Sequence, residues 1–250
     1  MFQRYLSTKS YIRISITIYN MKIHFITYGD NNFSKSKQRI KKEAEDFGLF
    51  DNISVYEPDL LSSVFKKTFK DVLSLKRGGG YWIWKIDIIL QELNKMQDDD
   101  ILVYLDAGCT INTNGKQRFK EYIKLLTESQ HNSIGFVLQH LETTWTTKEL
   151  YTAFDIKEDD SKQILATCMI YKKNKLLFEM FEEILQVLKN DPFLISDKYN
   201  KEGQKSNFIE NRHDQSVFSL MRKKYKGIVL PDEVDDSLDY HPFWATRKRS

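Results

Sequence analysis

The chain has 250 residues, 41% hydrophobic and 29% charged, enough to bury a sizeable core without disulfide or metal staples. Aromatic residues at 13% argue against disorder, and a formal charge of +3 is far too small for a protein that binds nucleic acid over its whole surface. That charge sits at the ends, because Arg4, Lys9 and Arg13 lie in an acid-free opening stretch, Arg247, Lys248 and Arg249 form a second cluster, and residues 21–246 are net acidic.

Residues 1–20 carry Arg, Ser and Thr and no acid, the composition of an organelle transit peptide without the apolar core of a secretory signal. Met21 opens MKIHFITYGD, which reads as a first strand at a natural N-terminus, so residues 1–20 are expected to be a non-catalytic extension. The strand, marked by Ile23, Phe25 and Ile26, stops at Gly29-Asp30. Phe33, Ile40, Ala44 and Phe47 then recur at helical spacing, with Ser34 as the expected cap. Ile53, Val55 and Tyr56 predict a second strand ended by Pro58, and Leu61, Val64, Phe65, Val72 and Leu73 one side of a helix. After Gly78-Gly79-Gly80 a helix is expected from about Trp82 to Met96.

The run from Ile101 to Leu105 is continuously apolar and ends at Asp106, as in a strand buried on both faces. Phe119, Tyr122, Ile123 and Leu126 predict a helix, Ile134–Leu138 and Ile164–Tyr171 predict strands, and a Thr-rich loop and a short helix near Leu150 separate the two. Leu176 to Leu188 trace a long amphipathic helix, 191–211 a polar loop, and a helix from about His213 to Lys226 with a strand at Ile228–Leu230 finishes the core. Strands alternating with helices predict an α/β fold with a mostly parallel central sheet flanked by helices, in one domain over 21–250. Cys109 and Cys168 are too few for a disulfide framework or a four-ligand zinc site and read as buried thiols in a reducing, cytoplasmic compartment. No apolar run approaches the ~18 residues of a membrane span, so no integral membrane segment is expected.

Four segments carry chemistry. Three glycines flanked by Arg77 and Lys85 expose backbone N–H groups to an anion such as phosphate, with Tyr81, Trp82 and Trp84 able to stack on a ring; the same residues also suit a glycine hinge with core tryptophans. Asp106, followed by Ala107-Gly108-Cys109, falls at the carboxyl end of a strand, where ligands bind in open α/β sheets; a turn residue or helix cap is the plainer alternative. Asn211-Arg212-His213-Asp214-Gln215 opens a helix, placing Asp214 either as a base or sugar-hydroxyl acceptor or as an acid favoured by the helix dipole. His241, among Tyr240, Phe243 and Trp244, fits either a metal shell or a surface position.

Together these segments resemble a family of small GT-A-type glycosyltransferase-like proteins of bacterial polysaccharide loci and large DNA viruses. The matching pieces are RGGGYWIWK (Arg77–Lys85), DILVYLDAGC (Asp100–Cys109), TTWTTKEL (Thr143–Leu150), NRHDQSVFSL (Asn211–Leu220) and HPFWATRKR (His241–Arg249), co-linear over most of residues 21–250. The resemblance implies a GT-A-like fold and transfer of a sugar from a UDP- or GDP-linked donor to a glycan hydroxyl, as in polysaccharide biosynthesis. It implies a divalent metal, Mn2+ or Mg2+, at Asp106 with His241 as a second ligand. Donor contacts are then expected from Tyr28, Arg77, Tyr81, Trp82, Lys85, Asp106, Gly108 and Arg247, acceptor contacts from Trp145, His213 and Gln215, and a catalytic base at Asp214. Two departures stand out. Asp106-Ala107-Gly108 supplies one acid where the family's DxD motif has two, and Ile86 replaces the proline of WKP. The single acid leaves a non-catalytic nucleotide-sugar or glycan-binding module as the competing class, and the neutral body disfavours a nucleic-acid partner.

Overall fold

A computed structural model describes residues 21–201, 203–235 and 238–249. The expected extension 1–20 lies outside the described residues. The apolar runs form β1 (Ile23–Tyr28), β2 (Asn52–Tyr56), β3 (Ile101–Leu105), β4 (Thr110–Ile111), β5 (Ser133–Leu141), β6 (Lys162–Ile164), β7 (Cys168–Lys172), β8 (Ile228–Leu230) and β9 (Phe243–Trp244). Seven of these make one sheet in the order β2-β1-β3-β7-β5-β6, with β8 on β5. β1 runs parallel to β2 and β3, and β8 parallel to β5, while β6 and β7 run against them. The expected α/β class is therefore present, and most strands share one direction. The parallel half, β2-β1-β3, points its carboxyl ends at one cleft.

The helices are α1 (Ser34–Phe47), α2 (Ser63–Thr68), α3 (Lys70–Leu73), α4 (Trp84–Lys95), α5 (Lys116–Thr127), α6 (Glu142–Trp145), α7 (Lys148–Ala153), α8 (Lys175–Asn190) and α9 (Asp214–Lys224). β3 is buried along its whole length and shows why its run has no polar alternation. Leu102 and Tyr104 join Ile26, Met169 and Tyr171 in a core closed by α4, α8 and α9. Ile101, Val103 and Leu105 point the other way, to Ile40, Ala44 and Phe47 of α1 and Phe119 and Tyr122 of α5. Each face is an apolar layer under helices.

Several local expectations change. The helix over 61–73 is two short pieces broken at Phe69, and Val64 is 73% exposed rather than on the buried side. Ser34 is the first residue of α1, not its cap; Asp30 instead accepts from Asn32 N–H and starts a 3-10 turn at Asn31–Phe33. The strand expected over 164–171 divides into β6 and β7, because Leu165 and Ile164 turn their carbonyls to the buried Arg222 guanidinium, 2.6 and 3.2 Å away. At the far end β9 pairs with β4, Thr110 opposite Trp244 and Ile111 opposite Phe243. That two-stranded ribbon brings residues 245–249 alongside the turn that follows β3.

Candidate functional site

A cleft of about 1450 Å3 opens beyond the carboxyl ends of β1, β2 and β3, where the topology of an open α/β sheet places ligands. Its floor is the turn after β3. Asp106 N–H donates to Thr167 O at 3.0 Å, and Cys109 N–H returns to Asp106 O at 2.9 Å, fixing Ala107-Gly108 as a tight turn. A Cβ on Gly108 would come within 3.2 Å of Arg247 Cα, so a glycine lets the C-terminal strand lie against the floor. Lys248 N–H and the Thr246 hydroxyl both donate to Gly108 O, at 2.9 and 3.0 Å, and Ser36 Oγ donates to Lys248 O at 3.1 Å. Arg247, between them, is held at φ +53°, a left-handed conformation that costs a non-glycine residue about 1 kcal/mol or more.

Three charged side chains meet behind this floor. Lys85, from the first turn of α4, places Nζ 2.6 Å from Asp214 Oδ2 and 3.0 Å from Asp106 Oδ1. It also donates to Ala166 O at 3.3 Å. The Tyr104 hydroxyl donates to Asp106 Oδ1 at 2.5 Å. Burial alone would strip the Lys85 proton, but the two carboxylates outweigh it and raise the ammonium above its ordinary range. Burial pushes the Asp214 carboxyl up, against Lys85 and with help from Asp106, to about 6. Asp214 is the first residue of α9, where the helix dipole favours an acid. Asp106 is the outer member, its side chain 34% exposed against 9% for Asp214.

One wall of the cleft is the glycine segment. Five consecutive residues, Gly78 to Trp82, have positive φ, making a left-handed turn. Tyr81 at φ +54° and Trp82 at +60° carry strain that glycine would not. Trp84 Nε1 donates to Gly78 O at 2.9 Å, and the Trp84 ring stacks on Tyr28 with centroids 3.7 Å apart. The outer side of the turn is held by Asp197, which accepts from Arg77 Nη1 and Tyr81 Oη, each at 3.0 Å, and lies 2.9 Å from His213 Nε2. Two of the glycines predict different responses. A Cβ at Gly80 would sit 2.8 Å from Leu73 Cα at φ +94°, whereas one at Gly79, φ +59°, would meet only Trp84 Nε1 at an ordinary 3.8 Å. Gly80→Ala should cost about 2–4 kcal/mol and Gly79→Ala about 1 kcal/mol in urea unfolding; equal losses would refute the packing described.

Tyr28, Trp82, Asp106, Gly108 and Arg247 line the cleft as expected ligand contacts should. The other candidates lie elsewhere. Lys85 and Asp214 are buried behind Asp106. Arg77 pairs with Asp197 and, at 3.6 Å, with Glu210 on the far side of the turn, and Tyr81 follows it there. His213 is buried against Asp197, with the Tyr81 and Trp82 rings tilted against its own at centroid distances of 4.8 and 5.6 Å. Trp145 lies under the Arg212 guanidinium at 3.9 Å, and Gln215 donates to Gln163 Oε1 at 2.7 Å; neither lines the cleft. His241 is also absent from the cleft wall, buried 3.9 Å from Glu233, which Arg118 and Tyr122 already hold. Trp84, expected as a stacking ring, lines the cleft, and the residues missed in the sequence are Lys66, Lys70 and Lys76, which also line it, and Asp197. Trp84 stood in a segment already suspected, whereas lysines spread along a helix read as a solvated face.

The expected metal pair therefore does not fit. Asp106 and His241 are not brought together, and among the described residues no group of three or more His, Cys, Asp or Glu side chains is placed to hold a metal ion. One oxygen of Asp106 already accepts from Tyr104 and faces Lys85. The Lys85 ammonium fixed 3.0 Å from that oxygen offsets the charge with which Asp106 would draw a divalent ion.

No family model matches the sequence, and no curated protein matches it. Solved structures similar to the chain are glycosyltransferases. One is involved in glycosylating the major capsid of PBCV-1, with 14% identity, 88% of this chain and 87% of that one covered, and a TM-score of 0.45. Another is the galactosyltransferase LgtC in complex with donor and acceptor sugar analogues, with 11% identity, coverage of 88% and 82%, and a TM-score of 0.44. Mouse xyloside xylosyltransferase 1 follows at 12% identity, 84% coverage of both chains and a TM-score of 0.37. At such identities the likeness concerns the path of the chain, and the chemistry has to come from the residues of the cleft.

Proposed function

We propose that the protein is a glycosyltransferase that moves a sugar from a nucleoside-diphosphate donor to a glycan hydroxyl, with the donor in the cleft beyond β1, β2 and β3. The observation that carries the reading is the composition of that cleft: aromatic Tyr28, Trp82 and Trp84, a part-exposed carboxylate at its floor, and lysines and arginines that make no ion pair among the described residues. Aromatic faces suit a base or sugar ring, and cations suit a diphosphate. In the transfer, the acceptor oxygen bonds to the anomeric carbon while the bond to the diphosphate oxygen breaks, the nucleoside diphosphate leaves with the electron pair, and the acceptor's hydroxyl proton passes to that departing diphosphate. Positive side chains placed where that charge develops lower the barrier. Asp106 is the acid we assign to the ligand, because Asp214 is reached only behind it. Asp214, expected as the base, instead keeps Lys85 charged and Asp106 in place.

Among the described residues no helix is long and apolar enough to cross a membrane. The free, buried Cys109 and Cys168 support a reducing compartment such as the cytoplasm.

The test is a thermal-shift screen of UDP- and GDP-linked sugars followed by donor hydrolysis and transfer assays. A stabilising donor should be turned over, and Asp106→Asn should lower kcat/KM by about 10²-fold or more, as losing one transition-state contact does. A donor that binds the wild type and Asp106→Asn equally, with no hydrolysis, would instead mark a non-catalytic binding module. The specific support for that second reading is that Lys85 and Tyr104 already engage Asp106.

A further inference from the structure

The cations lining the cleft come from two stretches of the chain, 66–76 and 247–249. Lys70 of α3 and Lys76, just ahead of the glycine turn, are exposed and make no ion pair among the described residues. Lys66 of α2 stands beside them, donating to Asp59 O at 3.2 Å. Arg247 and Lys248 line the same cleft from the C-terminal segment that is tied to Gly108. Arg249 also lines the cleft, with its guanidinium 5.5 Å from the Phe33 ring. Four acids line the same cleft, Asp30, Asp106, Asp232 and Asp235, and three of them accept hydrogen bonds from neighbouring groups. Asp30 accepts from Asn32 N–H at 2.9 Å, Asp232 from Val234 N–H at 3.2 Å, and Asp106 from Tyr104.

Lys85 decides what Asp106 can accept. Its ammonium is buried between Asp106 and Asp214 and cannot withdraw without leaving Asp214 unpaired in the interior and Asp106 without its cation. The positive charge next to Asp106 is thus a fixed part of the floor, and it repels a dication brought to the same carboxylate. What an incoming diphosphate meets above that floor is lysine and arginine.

We infer that the cleft holds the diphosphate of its ligand directly on Lys70 and Lys76 from one stretch and Arg247 from the other, without a divalent ion. This rests on the proposed nucleotide-dependent reading and adds to it the means of charge neutralisation. Lysine acts on phosphate as a mobile point charge and needs no ordered ligand shell. Arg247 is the preorganised member, since its backbone is pinned in a left-handed conformation by the bonds on either side of it.

The experiment is isothermal titration of the full chain with UDP and with GDP, each in excess EDTA and in Mn2+. The preferred nucleotide should bind in both with dissociation constants within about twofold, and Lys70→Ala with Lys76→Ala should weaken it about tenfold or more. Both lysines are exposed and make no ion pair among the described residues, so the double variant should keep the wild-type melting temperature, which is measured alongside. In a parallel Mn2+ titration followed by electron paramagnetic resonance, protein should add no bound signal beyond that of the nucleotide alone. Binding that vanishes in EDTA, or a protein-dependent Mn2+ signal removed by Asp106→Asn, overturns the inference and leaves the nucleotide reading standing. Metal-free binding indifferent to both lysines and to Arg247→Ala overturns the placement. Absence of binding by either nucleotide in both buffers overturns the inference together with the reading it rests on.

Discussion

Lys85→Met is expected to remove about 3–5 kcal/mol of folding stability at neutral pH, the cost of leaving buried charge without its partner, and to abolish ligand turnover. Methionine fills nearly the same space, so packing loss is small and the effect isolates the charge. Asp214 is the group that responds. Even with Lys85 at 2.6 Å, burial holds its carboxyl near 6, above the ordinary 3.8. A carboxyl raised in the folded state contributes its full stability below its unfolded value and loses it as pH rises through the folded value. In the wild type that loss is confined to roughly pH 4–6. Without Lys85 the Asp214 carboxyl moves higher still, and the loss continues above pH 6. The destabilisation should therefore be largest at alkaline pH and shrink toward pH 5, as read by urea unfolding of both proteins from pH 5 to 9. A loss of equal size across that range would assign Lys85 to packing and remove the argument for a fixed charge under Asp106.

The same trio shows how far sequence carried the site. β3 was legible because an uninterrupted apolar run bounded by Asp106 has one economical solution, a strand covered on both faces. Helix α8 was legible from periodicity, and the glycine turn from three residues that tolerate positive φ. The direction of individual side chains was not. Lys85 and Arg77 both flank the glycines in sequence, yet one turns inward to Asp106 and the other outward to Asp197. Which way each goes depends on the left-handed turn between them, and that turn depends on contacts with residues more than a hundred positions away. His241 failed for a related reason: its aromatic neighbours say where a ring can pack, not which acid it will face. Asp197 had no local signal at all, lying in a polar stretch that reads as loop.

Asp197→Ala carries the second large expected effect, because it removes the single carboxylate on which two strained segments converge. Tyr81 and Trp82 hold positive φ on one side, and His213 at φ +59° on the other; each such residue costs about 1–2 kcal/mol and persists only while neighbours hold it. Asp197 ties them by accepting from Arg77 and Tyr81 and facing His213 Nε2. Burial would raise its carboxyl, but the bonds from His213 and Tyr81 and the charge of Arg77 outweigh it and keep it below the ordinary value. The side chain is one-third exposed, so the stability loss should be modest, about 1–3 kcal/mol by hydrogen-bond magnitudes after screening. The effect on the cleft should be larger than the effect on folding. Gly78, Gly79 and Trp82 line it, and a turn released from Asp197 relaxes toward ordinary φ and withdraws that wall from the ligand. Ligand affinity should fall about tenfold or more, as misplacement of a positioning element does, with Asp197→Asn recovering part of it because the amide oxygen still accepts from Tyr81. The acidity of the site provides the control: with Lys85, Asp106 and Asp214 untouched, the pH profile of unfolding near Asp214 should match the wild type. An Asp197→Ala protein with wild-type affinity and only lowered stability would show that the strained turn keeps its shape without this anchor.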